Sequence, residues 1–127
     1  MDAIADTSIF VAREAARALR AGSVPERLGV SIVTIGELRA GVLAADDPDA
    51  RDRRLGILVT AMSLNPIPID DGVAEAWARL RVALLRAGAR MPVNDSWIAA
   101  TAISLGVPVV TQDDDYLELA GLTVIRV

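Results

Sequence analysis

The sequence contains no cysteine and no histidine, and all 13 of its basic residues are arginine, with no lysine. Without cysteine there is no disulfide framework, no thiolate-held zinc or iron–sulfur cluster, and no thiol nucleophile. Without histidine there is no Ser-His-Asp triad, no imidazole zinc site and no imidazole acid/base pair. Without lysine, Schiff-base chemistry and a Walker-type phosphate-binding lysine are excluded. Long apolar runs are missing too: each is broken within about a dozen residues by Arg, Asp or Gly, short of a membrane span. The start, Met1-Asp2-Ala3-Ile4-Ala5-Asp6, puts acids where a signal peptide needs basic and then apolar residues. Chemistry near neutral pH therefore falls mainly to carboxylates.

What remains is an ordinary globular composition: 127 residues, 53% hydrophobic and 24% charged. That is enough chain for one domain, residues 1–127, with a core that needs no staples. The expectation is a soluble, cytoplasmic protein with no membrane partner. A net charge of −4 and a pI near 4.7 lack the basic footprint of a nucleic-acid binder. That objection weakens if several of the acids sit together and are neutralised by bound metal.

Ala3-Ile4-Ala5, ending at Asp6, reads as a short buried strand, followed by a helix through Phe10, Ala15 and Leu19 that Gly22 stops. Leu28–Ser31 is a second strand, and a helix follows from about Val33 to Ala45. Asp46-Asp47-Pro48-Asp49 breaks it and opens another, with Leu55, Leu58 and Met62 at helical spacing. Pro66–Ile69 is extended, because proline pushes its predecessor out of the α region. Asp70-Asp71 start a long amphipathic helix with Val73, Trp77, Leu80 and Leu84 on its core face, ending at Gly88. Asp95–Leu105 is a further helix, closed by Gly106. Val107–Thr111 is the clearest strand, Gln112–Asp115 turn into a short helix, and Leu122–Ile125 is the last strand. Five short strands alternating with six or seven helices predict an α/β domain, a parallel sheet covered on both faces.

In such sheets ligands bind beyond the carboxyl ends of the strands, where strand order reverses. Asp6 ends the first strand, Asp113 lies two residues past Thr111, and Asp95 opens the helix leading into that strand. Glu37 lies in the helix after the second strand and leans back toward the same rim. Each has a plainer alternative. Asp6 and Asp95 suit helix caps or first-turn charges, Thr34 and Glu37 have capping-box spacing, and Asp113 belongs to a run of three aspartates typical of a solvated turn. Four carboxylates in one pocket repel one another unless a cation joins them. Hard divalent ions, chiefly Mg²⁺ or Mn²⁺, take oxygen ligands and need neither His nor Cys. With no imidazole or lysine, an attacking water would be activated by such an ion, and phosphoryl-group hydrolysis fits best.

Ile4-Ala5-Asp6-Thr7-Ser8, Thr34-Ile35-Gly36-Glu37-Leu38, Asn94-Asp95-Ser96-Trp97-Ile98-Ala99-Ala100-Thr101-Ala102 and Val109-Val110-Thr111-Gln112-Asp113-Asp114-Asp115-Tyr116 together resemble the PIN-domain ribonucleases. More narrowly, they resemble the VapC toxins of type II toxin–antitoxin modules. The resemblance covers almost the whole chain. It implies a PIN-like fold with a five-stranded parallel sheet in the order 3-2-1-4-5 and helices on both faces. It also implies a Mg²⁺-dependent endoribonuclease, with Mn²⁺ as a substitute, whose acidic centre is Asp6, Glu37, Asp95 and Asp113, with Asp115 as an additional acid. Thr7 and Thr111 match hydroxyl positions that orient the carboxylates. Tyr116 stands where Phe is commoner, and Gln112 where Arg or Asn often appears. The implied partners are RNA, a VapB-type antitoxin whose C-terminal segment covers the site, a second copy in a homodimer, and operator DNA reached only through the antitoxin.

Contacts to the RNA backbone must come from arginine, whose planar fork suits phosphate. Arg13, Arg17 and Arg20 stand at i, i+4 and i+7 on the expected first helix, and Arg39 lies close to Glu37. A solvated helix face accounts for the first three equally well. Trp77 reads as core, and Trp97 as packing or base stacking. The alternative to an enzyme is a non-catalytic metal-binding α/β module, either receiver-like or a degenerate PIN domain. The receiver version lacks the lysine that engages its phosphoryl group.

Overall fold

The structure, a computed structural model, describes residues 1–19 and 24–127. Its elements run β1 (Ala3–Ala5), α1 (Thr7–Glu14), β2 (Leu28–Gly29), α2 (Ile32–Leu43), α3 (Pro48–Met62), α4 (Asp71–Arg86), α5 (Val93–Leu105), β3 (Val109–Thr111) and β4 (Val124–Arg126). The four strands are parallel in the order β2-β1-β3-β4.

β1 and β3 show how short apolar runs build a sheet buried on both sides. Ile4 and Val109 point into a core with Leu80 and Leu84 of α4 and Ile98, Ala99 and Ala102 of α5. Ala3, Ala5 and Val110 point the other way, to Ile9 and Phe10 of α1, Ile35 of α2, and Leu58 and Ala61 of α3. Alternate residues thus feed opposite layers, as the pleat requires. The alanines of α5 let that helix lie close to the strands.

Four expectations are corrected. The third of the five expected strands, around Ile67, shrinks to a single parallel bridge with Ser31, outside β2, the place that the order 3-2-1-4-5 assigns to it. Ile67 donates to Val30 O at 2.9 Å and accepts from Ile32 N at 2.9 Å. Pro66 and Pro68 beside it have no N–H to extend the ladder. The first helix ends at Glu14, not near Leu19, because Ala16 turns to φ 54° and Arg17 N bonds back to Ala12 O at 2.7 Å. That pairing is the Schellman closure. The stop expected at Gly22 lies outside the described residues. The short helix after Gln112 does not form. The chain instead makes tight turns there, from Leu119 N to Leu117 O and from Leu122 N to Leu119 O, before Ala120 and Gly121 reverse it with positive φ. Among the described residues five helices form where six or seven were expected.

The site follows from this topology. The chain leaves β1 for β2 on one side and later returns to β3 on the other, so β1 and β3 flank the point where strand order reverses. Asp6 follows the last residue of β1, and Asp113 comes two residues after the end of β3.

Candidate active site

Asp6 is the N-cap of α1 and is also almost wholly buried. Its Oδ2 accepts from Ser8 N at 3.3 Å and from the Thr111 hydroxyl at 2.8 Å, while Oδ1 accepts from the Tyr116 hydroxyl at 2.7 Å. Both oxygens of this buried carboxylate are therefore held by hydrogen-bond donors of the protein. Thr111 is itself tied in, because its oxygen accepts from Asp113 N at 2.9 Å. Ser8 Oγ lies 3.3 Å from it and accepts from Gln112 N at 3.0 Å. The cap and the acidic cluster are therefore not alternatives at Asp6, since one side chain serves both.

Glu37 is held by a second hydroxyl network. Thr7, the first residue of α1, donates to Glu37 Oε1 at 2.8 Å, and the buried Thr34 hydroxyl lies 2.9 Å from Thr7 Oγ1. Thr7 has one proton and gives it to Glu37, so Thr34 is the donor to Thr7. The capping box expected between Thr34 and Glu37 is absent. Ser31 caps α2 instead, accepting from Val33 N at 3.1 Å.

Asp95 sits in the first turn of α5, whose N-cap is Pro92 with no side-chain cap bond. Ser96 beside it donates to Val93 O at 2.5 Å and accepts from Trp77 Nε1 at 3.0 Å. Trp77 and Trp97 stack with centroids 4.4 Å apart and planes within 4°, bracing this turn against α4. The carboxylates of Asp95, Asp113 and Asp115 converge, with one oxygen of each within 4.8 Å of the others. Half-buried among acids, Asp95 is pushed up to about 7, first by burial and then by Asp6, Asp113, Glu37 and Asp115. Asp113 is also raised, by burial first, then by the charge and close approach of the Asp6 carboxylate, while Arg17 pulls the other way. Asp114 points away and pairs with Arg126 at 3.6 Å on the surface.

These donors are all oxygens, charged and crowded, with protonation as their relief in the absence of a cation. That is the donor chemistry of a hard divalent ion, and Asp95, Asp113 and Asp115, with Asp6 adjoining, fit one. The arginines divide. Arg17 lies beyond α1 but within electrostatic reach of Asp113. Arg13 is exposed in the last turn of α1, which ends at Glu14, so Arg13 and Arg17 do not share a helix; Arg20 lies outside the described residues. Arg39 turns away from the acids and reaches Met62 Sδ at 3.7 Å. Sequence reasoning missed the hydroxyls of Ser8, Thr34 and Tyr116. Their signal was present, since all three lie inside the acid-bearing motifs. Beside Glu37 a groove of about 300 Å³ runs between α1, α2 and α3, lined by Thr7, Phe10, Val11, Leu38 and Ile57.

An α/β sheet with this acidic rim defines a class, and residues 3–122 match the family model for the PIN domain. The chain is 44% identical over 124 residues to ribonuclease VapC5 of Mycobacterium tuberculosis, covering 98% of this chain and 92% of that one. It is 46% identical over 125 residues to ribonuclease VapC4 of the same organism, covering 98% and 96%. The crystal structure of VapBC-5 from M. tuberculosis, described as a member of the VapBC family of toxin–antitoxin systems, superposes with a TM-score of 0.90. There the identity is 42%, over 99% of this chain and 98% of that chain. The chain belongs to the VapC ribonuclease family of PIN-domain proteins, which sets aside the receiver-like alternative.

Proposed function

We propose that this protein is the toxin of a type II toxin–antitoxin pair, an endoribonuclease that hydrolyses RNA phosphodiesters with Mg²⁺, for which Mn²⁺ substitutes. The observation that carries the reading is the meeting of Asp95, Asp113 and Asp115 within 4.8 Å, beside a buried Asp6 held by the Thr111 and Tyr116 hydroxyls. In this reading Asp6, Asp95 and Asp113 hold the ion and Asp115 assists. A bound divalent ion supplies positive charge against the developing charge on phosphate and acidifies water at neutral pH. Glu37, fixed by Thr7, either orients the attacking water or holds a second ion. Water oxygen bonds to phosphorus and the bond to the 3′ oxygen breaks, leaving a 5′-phosphate and a 3′-hydroxyl. Thr7 and Thr111 keep the carboxylates aimed. Arg13 and Arg17 are the arginines assigned to the RNA backbone.

The partner is a VapB-type antitoxin, since the similar VapBC-5 is a member of the VapBC family of toxin–antitoxin systems. The groove beside Glu37 is the place for its covering segment. A homodimer, and a larger assembly reaching operator DNA through the antitoxin, complete the reading. Its setting is the cytoplasm; no helix among the described residues is long and apolar enough to cross a membrane.

The test is cleavage of diverse RNAs by antitoxin-free protein, with EDTA, Mg²⁺ or Mn²⁺, alongside Asp6→Ala and Asp95→Asn. Divalent-dependent cleavage lost in both variants is the expected result. Cleavage that survives both substitutions, or none by folded wild-type protein on any substrate, overturns the reading.

A further inference from the structure

Tyr116 is the protein's single tyrosine, and it is fully buried in the core between the sheet, α4 and α5. Packing alone asks only for an aromatic ring there, so the hydroxyl needs its own explanation. Its oxygen lies 2.7 Å from Asp6 Oδ1. The residue cannot drift from that position, because Arg126 of β4 donates to its carbonyl at 2.8 Å while the ring sits among Ile4, Ile98 and Val109. A carboxylate oxygen in this contact is the acceptor and the phenol O–H is the donor.

The consequence lies in the lone pairs of Asp6. A carboxylate offers about four acceptor positions, two on each oxygen. On Oδ2 both are taken, one by Thr111 and one by the longer 3.3 Å contact with Ser8 N. On Oδ1 one is taken by Tyr116. A single position remains, on Oδ1, so Asp6 can grip a cation at one point but not with both oxygens. Small ions such as Mg²⁺ accept one-point carboxylates in a strict octahedron, whereas Ca²⁺ is larger and readily takes carboxylates through both oxygens.

We propose that the Tyr116 hydroxyl, together with that of Thr111, is a specificity device that holds Asp6 to one-point ligation and biases the acidic cluster toward a small divalent ion over Ca²⁺. This rests on the reading that the cluster holds a divalent ion. Neither hydroxyl need touch RNA, so both are positioning groups. In Tyr116→Phe the carboxylate loses one pin and turns about its Cβ–Cγ bond. The long Ser8 contact yields first and a lone pair opens on each oxygen. Thr111→Val opens Oδ2 directly.

The experiment is calorimetric titration of antitoxin-free, EDTA-treated protein with Mg²⁺ and separately with Ca²⁺, for the wild type, Tyr116→Phe and Thr111→Val. Both replacements keep the shape of the side chain, and circular dichroism checks that each variant is folded. The expected result is a shift in the ratio of the Ca²⁺ and Mg²⁺ dissociation constants toward Ca²⁺, about tenfold in each variant. A purely structural role would weaken both ions alike and leave the ratio unchanged, and that overturns the proposal. Wild-type protein that binds neither ion overturns the underlying metal reading as well, so the two failures are told apart by the wild-type titration.

Discussion

Asp6 accepts three hydrogen bonds from the protein, whereas none of the side-chain hydrogen bonds among the described residues ends on the carboxylates of Asp95, Asp113 or Asp115. Glu37 belongs with Asp6, clamped by Thr7. One half of the acidic rim is thus finished by the fold, with its charge already satisfied. The other half is left without hydrogen-bond partners among the described residues, and burial first, then repulsion from Asp6 and the neighbouring acids, lifts Asp95 to about 7 and raises Asp113. The difference teaches where a cation is needed. The clamped half is stable without one, and the open half is the part a cation stabilises.

In the proposed reaction both halves take part, so the largest expected effect does not separate them: Asp6→Ala and Asp95→Asn should each lower kcat for RNA by roughly 10³-fold. Stability separates them in sign. In EDTA, Asp6→Ala orphans the Thr111 and Tyr116 hydroxyls and costs about 2–4 kcal/mol in denaturant unfolding. Asp95→Asn removes a repelled charge and raises the apo melting temperature at pH 8 by roughly 3–6 °C. If both variants lose stability to the same extent, the comparison is wrong.

The pH dependence sharpens the contrast further. Asp95 moves from an ordinary 3.8 to about 7, so between those values the folded protein binds more protons than the unfolded chain. Its contribution is stabilising below pH 4 and is lost as pH rises through about 7. Wild-type protein in EDTA should therefore melt lower at pH 8 than at pH 5.5 by more than Asp95→Asn does. Saturating Mg²⁺ should close most of that gap at pH 8, in proportion to the logarithm of its concentration above Kd. Smaller still, Thr7→Val releases Glu37, lowering kcat about tenfold and stability by about 1 kcal/mol. Smallest is Asp70→Ala, which removes the cap of α4, a bond to Val73 N of 2.9 Å far along the chain from any clamped acid. It should cost about 1 kcal/mol and leave cleavage within about twofold.

The same contrast explains what was legible in the sequence. The positions of Asp6, Asp95 and Asp113 could be read because they follow from local signals, a strand end or a helix start, combined with one rule about where parallel sheets bind. The layers of the fold were legible for the same reason, from runs such as Val109-Val110 and the Val73-Trp77-Leu80-Leu84 stripe. Of the donors that divide the rim, Thr7 and Thr111 were legible only through the family resemblance, and Ser8 and Tyr116 were missed. Thr111 reaches Asp6 across 105 positions and Tyr116 across 110, and no periodicity encodes such pairs. Local spacing also offered a Thr34–Glu37 capping box as the plainer alternative, but Ser31 caps α2 and the Thr34 hydroxyl is claimed by tertiary contact with Thr7. The third strand failed for a local reason that was in plain view: prolines on both sides of Ile67 leave one residue able to pair.

The central claim is that the converging acids share a divalent ion, and Mn²⁺ binding reads it most directly. Titrating EDTA-stripped protein at pH 8, followed by the loss of the free-ion electron paramagnetic resonance signal, should show saturable binding to the wild type. Binding should weaken at least about tenfold in Asp95→Asn and in Asp113→Asn, while Asp114→Asn, whose carboxylate pairs with Arg126 instead, binds as the wild type does. Equal Mn²⁺ binding by all four proteins, or none by the wild type, would contradict the account.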